Sequence, residues 1–154
     1  YSRGGAVVWQ RQLGPNDDAG ANALTTEAGG NRYVSYNDLL EKRRADGGLV
    51  WSRTVVGVSA LATDRRGNLY VGSSDGTGTM FLSKYTAAGS RTWRRSASGN
   101  GIFIVPKGIA TDPSGNVYLA ASDYDDCCLW NKLLKYSPGG QQLVNKEIGV
   151  SGVD

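Results

Sequence analysis

Histidine is absent from all 154 residues. That removes Ser-His-Asp and Cys-His nucleophile systems and histidine-ligated zinc. Cysteine is scarce: Cys127 and Cys128 stand alone and adjacent, so there is no disulfide framework. Neighbouring Cα atoms lie about 3.8 Å apart across a trans peptide, closer than ordinary disulfides prefer. A vicinal bond between the two therefore requires a distorted loop. No apolar run approaches the ~20 residues of a membrane helix, and no membrane insertion is expected. The net charge is only +3. Basic residues are scattered apart from Lys42-Arg43-Arg44 and Arg94-Arg95, so no nucleic-acid partner is expected. Neither a GxGxxG nor a Walker A string occurs.

What the chain does have is glycine, 22 residues of it, and a phrase written three times. "DPSGNVYLAAS" (112–122) repeats "DRRGNLYVGSS" (64–74), with a worn copy, "EAGGNRYVSYN", at 27–37. A small-apolar stretch precedes each: "ANALTT" (21–26), "SALATD" (59–64), "KGIATD" (107–112). A segment ending in Lys-Tyr follows the second and third, "MFLSKYTAAG" (80–89) and "NKLLKYSPGG" (131–140); the first has the degenerate "DLLEKRRADGG" (38–48). Then a glycine precedes an apolar position by four residues: Gly5 to Trp9, Gly47 to Trp51, Gly89 to Trp93, Gly140 to Val144. A period of this size indicates a repeat architecture.

Each unit reads as four short strands. Period-2 alternation bounded by Gly, Pro, Asn and Asp is the strand signal, and Gly-Asn supplies a tight hairpin turn. The segment 38–48 has some helical propensity, but its alignment with "FLSKYTAAG" predicts a strand. Four antiparallel strands per 40–50 residues is the form of a β-propeller blade. The expected fold is therefore all-β: a single propeller segment with a partial strand in 1–14, blades at about 21–56, 58–98 and 107–149, and the start of another unit at 150–154. Trp9, Trp51 and Trp93 are expected to pack between units, and Asp64 and Asp112 to cap their turns. Propellers close with about four to eight blades, and open blades leave exposed edges. The expectation is a piece of a longer protein, or copies that complete a ring.

The order Gly-x-x-x-Trp, Ala-x-x-Asp-x-x-Gly-Asn-x-Tyr-Val-x-Gly, then Phe-Leu-x-Lys-Tyr-x-x-x-Gly resembles the seven-bladed β-propeller repeat (SBBP) family over nearly the whole chain. So does the opening "GAVVWQRQLGPNDDAGANALTTEAGGNRYV". The resemblance implies a propeller-type module of secreted, periplasmic or cell-surface proteins, often without a defined activity. The chain departs from the family at Glu27 (for Asp), Arg43 (for Tyr) and Val144 (for Trp). It has a shortened connector at 57–59 and gains at 99–107 and 122–131.

The copies disagree most at 14–22, 99–107 and 122–131, and these are the candidate binding loops, because recognition usually lies on loops carried by a rigid scaffold. Their residues are Asp17, Asp18, Ile102, Phe103, Asp123, Asp125, Asp126 and Trp130. Asp123, Asp125 and Asp126 offer the hard oxygen donors that Ca²⁺ takes. Their spacing is not that of an EF-hand loop and no closing Glu follows, so a solvated acidic loop without a cofactor is expected. No catalytic residue is expected. The leading functional reading is a noncatalytic scaffold or binding module for a protein or glycan partner. The alternatives are a building block that self-associates through open blade faces, and a propeller lyase, hydrolase or quinone-dependent oxidoreductase.

Overall fold

The computed structural model describes Gln10 and residues 20–99, 101–124 and 129–151, with side chains to Ile148. The expectations for Trp9, Asp17, Asp18, Asp125, Asp126, Cys127, Cys128 and the partial units at 1–14 and 152–154 lie outside the described residues. The chain is all-β. Strands β1 (Ala21–Thr26), β2 (Arg32–Tyr36), β3 (Leu39–Arg43) and β4 (Leu49–Thr54) form sheet 1 in that order. Sheet 2 holds β5 (Val58–Thr63), β6 (Leu69–Ser74), β7 (Thr79–Tyr85) and β8 (Arg91–Ser98). Sheet 3 holds β9 (Phe103–Thr111), β10 (Val117–Tyr124), β11 (Leu129–Tyr136) and β12 (Gln142–Ser151). Every paired neighbour is antiparallel. The segment at 38–48 is a strand and turn, as its alignment predicted: burial of Leu40 in the interface with sheet 2 overrides its weak helical propensity.

The thrice-written phrase is a self-contained turn. Asp64 Oδ1 accepts from the backbone N–H groups of Arg66 and Asn68, each at 2.9 Å. Its Oδ2 accepts from Asn68 Nδ2 at 2.8 Å and Tyr70 Oη at 3.3 Å. Asp112 repeats this with Asn116 and Tyr118. Gly67 sits at φ 76°, where a side chain would be strained; Gly30 and Gly115 match it at 77° and 82°. The acidic residue, Gly, Asn and Tyr of the motif are thus consumed in one hairpin.

Glu27 makes the same turn with a longer arm. It accepts from the Asn31 side chain and from Tyr33 Oη, and its carboxylate lies 3.2 Å from Lys42 Nζ. Burial pushes its carboxyl pKa up, but the hydrogen bonds from Asn31, Lys42 and Tyr33 outweigh that and hold it below the usual value. A depressed carboxyl stabilises the fold above its unfolded pKa and loses that contribution as pH falls through the folded one. Acid melting curves should therefore show Glu27→Gln less stable than the native chain near pH 7, with the gap closing below about pH 4.5.

The core lies between sheets, not within one. Tyr33 and Leu40 of sheet 1 meet Leu69, Val71 and Tyr85 of sheet 2. Tyr70, Met80 and Leu82 of sheet 2 meet Val117, Leu119, Leu134 and Tyr136 of sheet 3. The innermost strands are stitched by hydroxyls: Thr63 Oγ1 donates to Thr26 O at 2.7 Å, and Thr111 Oγ1 donates to Thr63 O at 3.1 Å.

The recurrent tryptophans occupy equivalent rungs, opposite Lys42 and Lys84. Each is half-buried and reaches into the next sheet. Trp51 Nε1 and Lys42 Nζ both donate to Ala87 O, at 3.2 and 3.1 Å. Trp93 Nε1 and Lys84 Nζ both donate to Pro138 O, at 3.1 Å. Each indole lies against the glycine of that turn: a Cβ built on Gly140 would fall 2.9 Å from the Trp93 ring. The recurring turn glycine therefore also leaves room for the indole of the preceding sheet.

Candidate functional site

Strand length sets sheet 3 apart. β10 and β11 each have eight residues, against six and seven for β6 and β7. The extra rungs pair Tyr124 with Phe103 on one side and with Leu129 on the other. Phe103 and Leu129 are 46% and 37% exposed, and neighbouring Ile102 is 49% exposed. The Lys107 ammonium lies 5.6 Å from the Tyr124 ring centre. The extension thus gathers apolar groups at the surface. Ile102 and Phe103 are the expected binding residues it brings together. Tyr124 and Leu129 join them through strand register, which shows in the sequence only once β9, β10 and β11 are paired. Trp130 is half-buried in β11.

Asp123 has a different place from the solvated loop expected of it. It sits in β10, fully buried, with its carboxylate 3.6 Å from Lys132 Nζ. Gly101 N–H donates to it at 3.1 Å. A Cβ at Gly99 would fall 2.1 Å from Asp123 Oδ1, so the inserted connector wraps the carboxylate closely because Gly99 lacks a side chain. Lys132 also donates to Ser98 O of sheet 2 at 3.3 Å. The physical reason is pairing. Asp123 stands opposite Trp130, and Lys132, two residues further on β11, shares the carboxylate's face. A buried carboxylate held this way organises the connector that carries Ile102 and Phe103. Among the described residues, no three His, Cys, Asp or Glu side chains converge as metal ligands.

The opposite faces of the array differ in character. On sheet 3, the face equivalent to Tyr70, Leu82, Lys84 and Trp93 carries Tyr118, Leu133, Lys135 and Val144. Val144 is 38% exposed, and Lys135 Nζ stays over the Tyr118 ring at 4.9 Å. On sheet 1, the face equivalent to Leu69, Ser83 and Tyr85 carries Arg32, Glu41 and Arg43. Arg43 and Glu41 pair at 2.6 Å.

No family model matches the chain, and no curated protein does. Solved structures do. A protein of unknown function from Bacteroides caccae superposes with a TM-score of 0.64 at 15% identity, over 92% of this chain and 50% of that one. A eukaryotic initiation factor gives 0.68 at 9% identity, over 91% and 35%. Virginiamycin B lyase from Staphylococcus aureus gives 0.51 at 12% identity, over 86% and 57%. The chain thus spans about half or less of the first two and somewhat more of the lyase. At these identities the likeness concerns the fold alone, and it is propeller-like: four-stranded antiparallel sheets packed face to face in series.

Proposed function

We propose that the three sheets are consecutive blades of a β-propeller of the SBBP type, acting as a noncatalytic binding module of a secreted or surface protein. The observation that carries this is how the polar residues are used. Glu27, Asp64 and Asp112 close turns, Asp123 holds a connector, and Lys42 and Lys84 tie sheets together. Three exposed apolar groups, Ile102, Phe103 and Leu129, instead meet on the extension of sheet 3. Aromatic and aliphatic anchors on a rigid element suit a protein partner; a glycan would use Phe103 and Tyr124 as stacking surfaces.

The test is capture by the immobilised chain from secreted or periplasmic fractions, alongside a glycan array. Ile102→Asp with Phe103→Asp should reduce binding of any captured partner at least tenfold while leaving the melting temperature within a degree or two. Unchanged binding by that double variant would sink this reading.

A second reading, self-association, is favoured by the face of sheet 3 that carries Tyr118, Leu133 and Val144 and that neither of the other two described sheets covers. Arg32, Glu41 and Arg43 on the opposite face of sheet 1 weigh against identical copies joining by the contact that joins sheets 2 and 3. Light scattering that gave a discrete oligomer, lost in Leu133→Asp, would favour it over the first.

A further inference from the structure

The two sheet interfaces are built on one plan and filled differently. Between sheets 2 and 3, Ala121 and Leu134 are buried, and Ile104, near the start of the long strand β9, is buried beside them. Between sheets 1 and 2 the equivalent positions, by strand pairing, are Ser73 and Ser83. Both are buried, at 5% and 4% exposure. The connector there is short, Val55-Val56-Gly57, and supplies no counterpart of Ile104. The result is a cavity of about 300 Å³ opening between β4 and the β7–β8 pair.

Its lining mixes apolar groups, Val55, Val56 and Phe81, with polar ones. Thr54, Ser73, Ser74, Ser83 and Tyr85, which carry hydroxyl groups, line it together with Arg91 and Arg94, the Ser74 hydroxyl being also bonded within the 74–79 turn. Arg94 is held in place, its guanidinium carbon 3.5 Å from the Phe81 ring centre. Neither arginine forms an ion pair among the described residues. Asp75 also lines the space. The Thr77 N–H, with help from that of Thr79, holds its carboxyl below the usual range against the opposing effect of desolvation, so it is ionised at neutral pH. Arg91 stands on the Tyr85 rung, whereas Asp75 lies beyond the Ser73–Phe81 rung. At the rise of a strand those rungs are about 14 Å apart. Arg91 stands toward the Tyr85 end of the cavity, while the Arg94 guanidinium over Phe81 and the Asp75 carboxylate lie toward the other, with hydroxyl-bearing residues between.

We propose that this cavity binds a polyhydroxylated carboxylate, the chemistry of a sugar acid. The Arg91 fork takes the carboxylate, and Arg94, held over Phe81, donates to the ligand's hydroxyl oxygens. The serine and threonine hydroxyls and Asp75 exchange hydrogen bonds with the ligand hydroxyls. The volume suits one sugar ring at the lower end of the usual range for ligand pockets. The site is separate from the extension of sheet 3, so its failure leaves the reading of Ile102 and Phe103 untouched.

The test is titration of the full chain with D-glucuronate, its methyl glycoside, D-glucose and acetate, followed by NMR or calorimetry. D-glucuronate should bind, and glucose and acetate each at least about tenfold more weakly. Equal binding of the methyl glycoside identifies a polysaccharide residue as the source; binding of the free acid alone identifies the free sugar. Arg91→Gln and Arg94→Gln should each weaken D-glucuronate about tenfold or more. Ser73→Ala with Ser83→Leu rebuilds the wall of the sister interface. It should abolish binding while raising the melting temperature by about 2–4 °C. No binding of D-glucuronate, equal binding of glucose, or binding that survives Ser73→Ala with Ser83→Leu overturns the proposal.

Discussion

Trp93→Ala should destabilise the fold by about 3–4 kcal/mol, near the usual cost of emptying a large aromatic site. Three separate losses act together. The ring leaves a gap beside Tyr70 and Tyr136, whose centres lie 6.0 and 6.4 Å from it. Pro138 O loses the Trp93 Nε1 donor and keeps only Lys84 Nζ. Arg95, whose guanidinium lies 5.9 Å from the indole and whose Nε donates to Gly140 O, loses its support. Trp51→Ala should cost less, because among the described residues its one aromatic ring contact is Tyr33, where Trp93 has two, and each indole has one arginine beside it. Chemical denaturation of the two variants measures the difference. Equal losses below about 1 kcal/mol at both positions would mean that the indoles are surface groups and not the clasp between sheets.

Lys132→Met should cost a comparable amount, about 3–5 kcal/mol, because it strands a carboxylate in the interior. Asp123 is fully buried and keeps the hydrogen bond donated by Gly101 N–H, but the cation 3.6 Å away is lost. The native pair itself adds much less than that figure, since burying two charges offsets most of their attraction. Asp123→Asn combined with Lys132→Met should therefore recover part of the loss. A double-mutant cycle gives the coupling directly. Near-additive single and double losses would show that the two side chains act independently.

The strand pattern, the three hairpin turns and the register of Trp51 and Trp93 were legible because each rests on residues close in sequence. Gly-Asn after an acidic residue closes a turn within seven positions, from Asp64 to Tyr70. The state of Asp123 was not legible. In isolation "SDYDD" reads as a solvated acidic run; only the pairing of β10 with β11 puts Lys132 on the same face. The loop residues Ile102 and Phe103 were picked for their irregular setting, and the extension of sheet 3 makes them neighbours of Tyr124 and Leu129. The cavity between sheets 1 and 2 escaped for a similar reason. Ser73 and Ser83 look like ordinary strand serines until they are superposed on Ala121 and Leu134.

The hand-over of each Trp and Lys to a carbonyl of the next sheet makes cohesion a matter between neighbours. Sheet 2 contributes to both buried clusters, while sheets 1 and 3 contribute to one each. Free energy in such a linear array is approximately a sum over units and the junctions between them. Among the described sheets, sheets 1 and 3 each share one such junction and sheet 2 shares two, so opening sheet 2 breaks both. Amide protons of β6 and β7 should accordingly exchange with solvent most slowly, and those of sheet 1, whose side of the junction is the smaller, should exchange first.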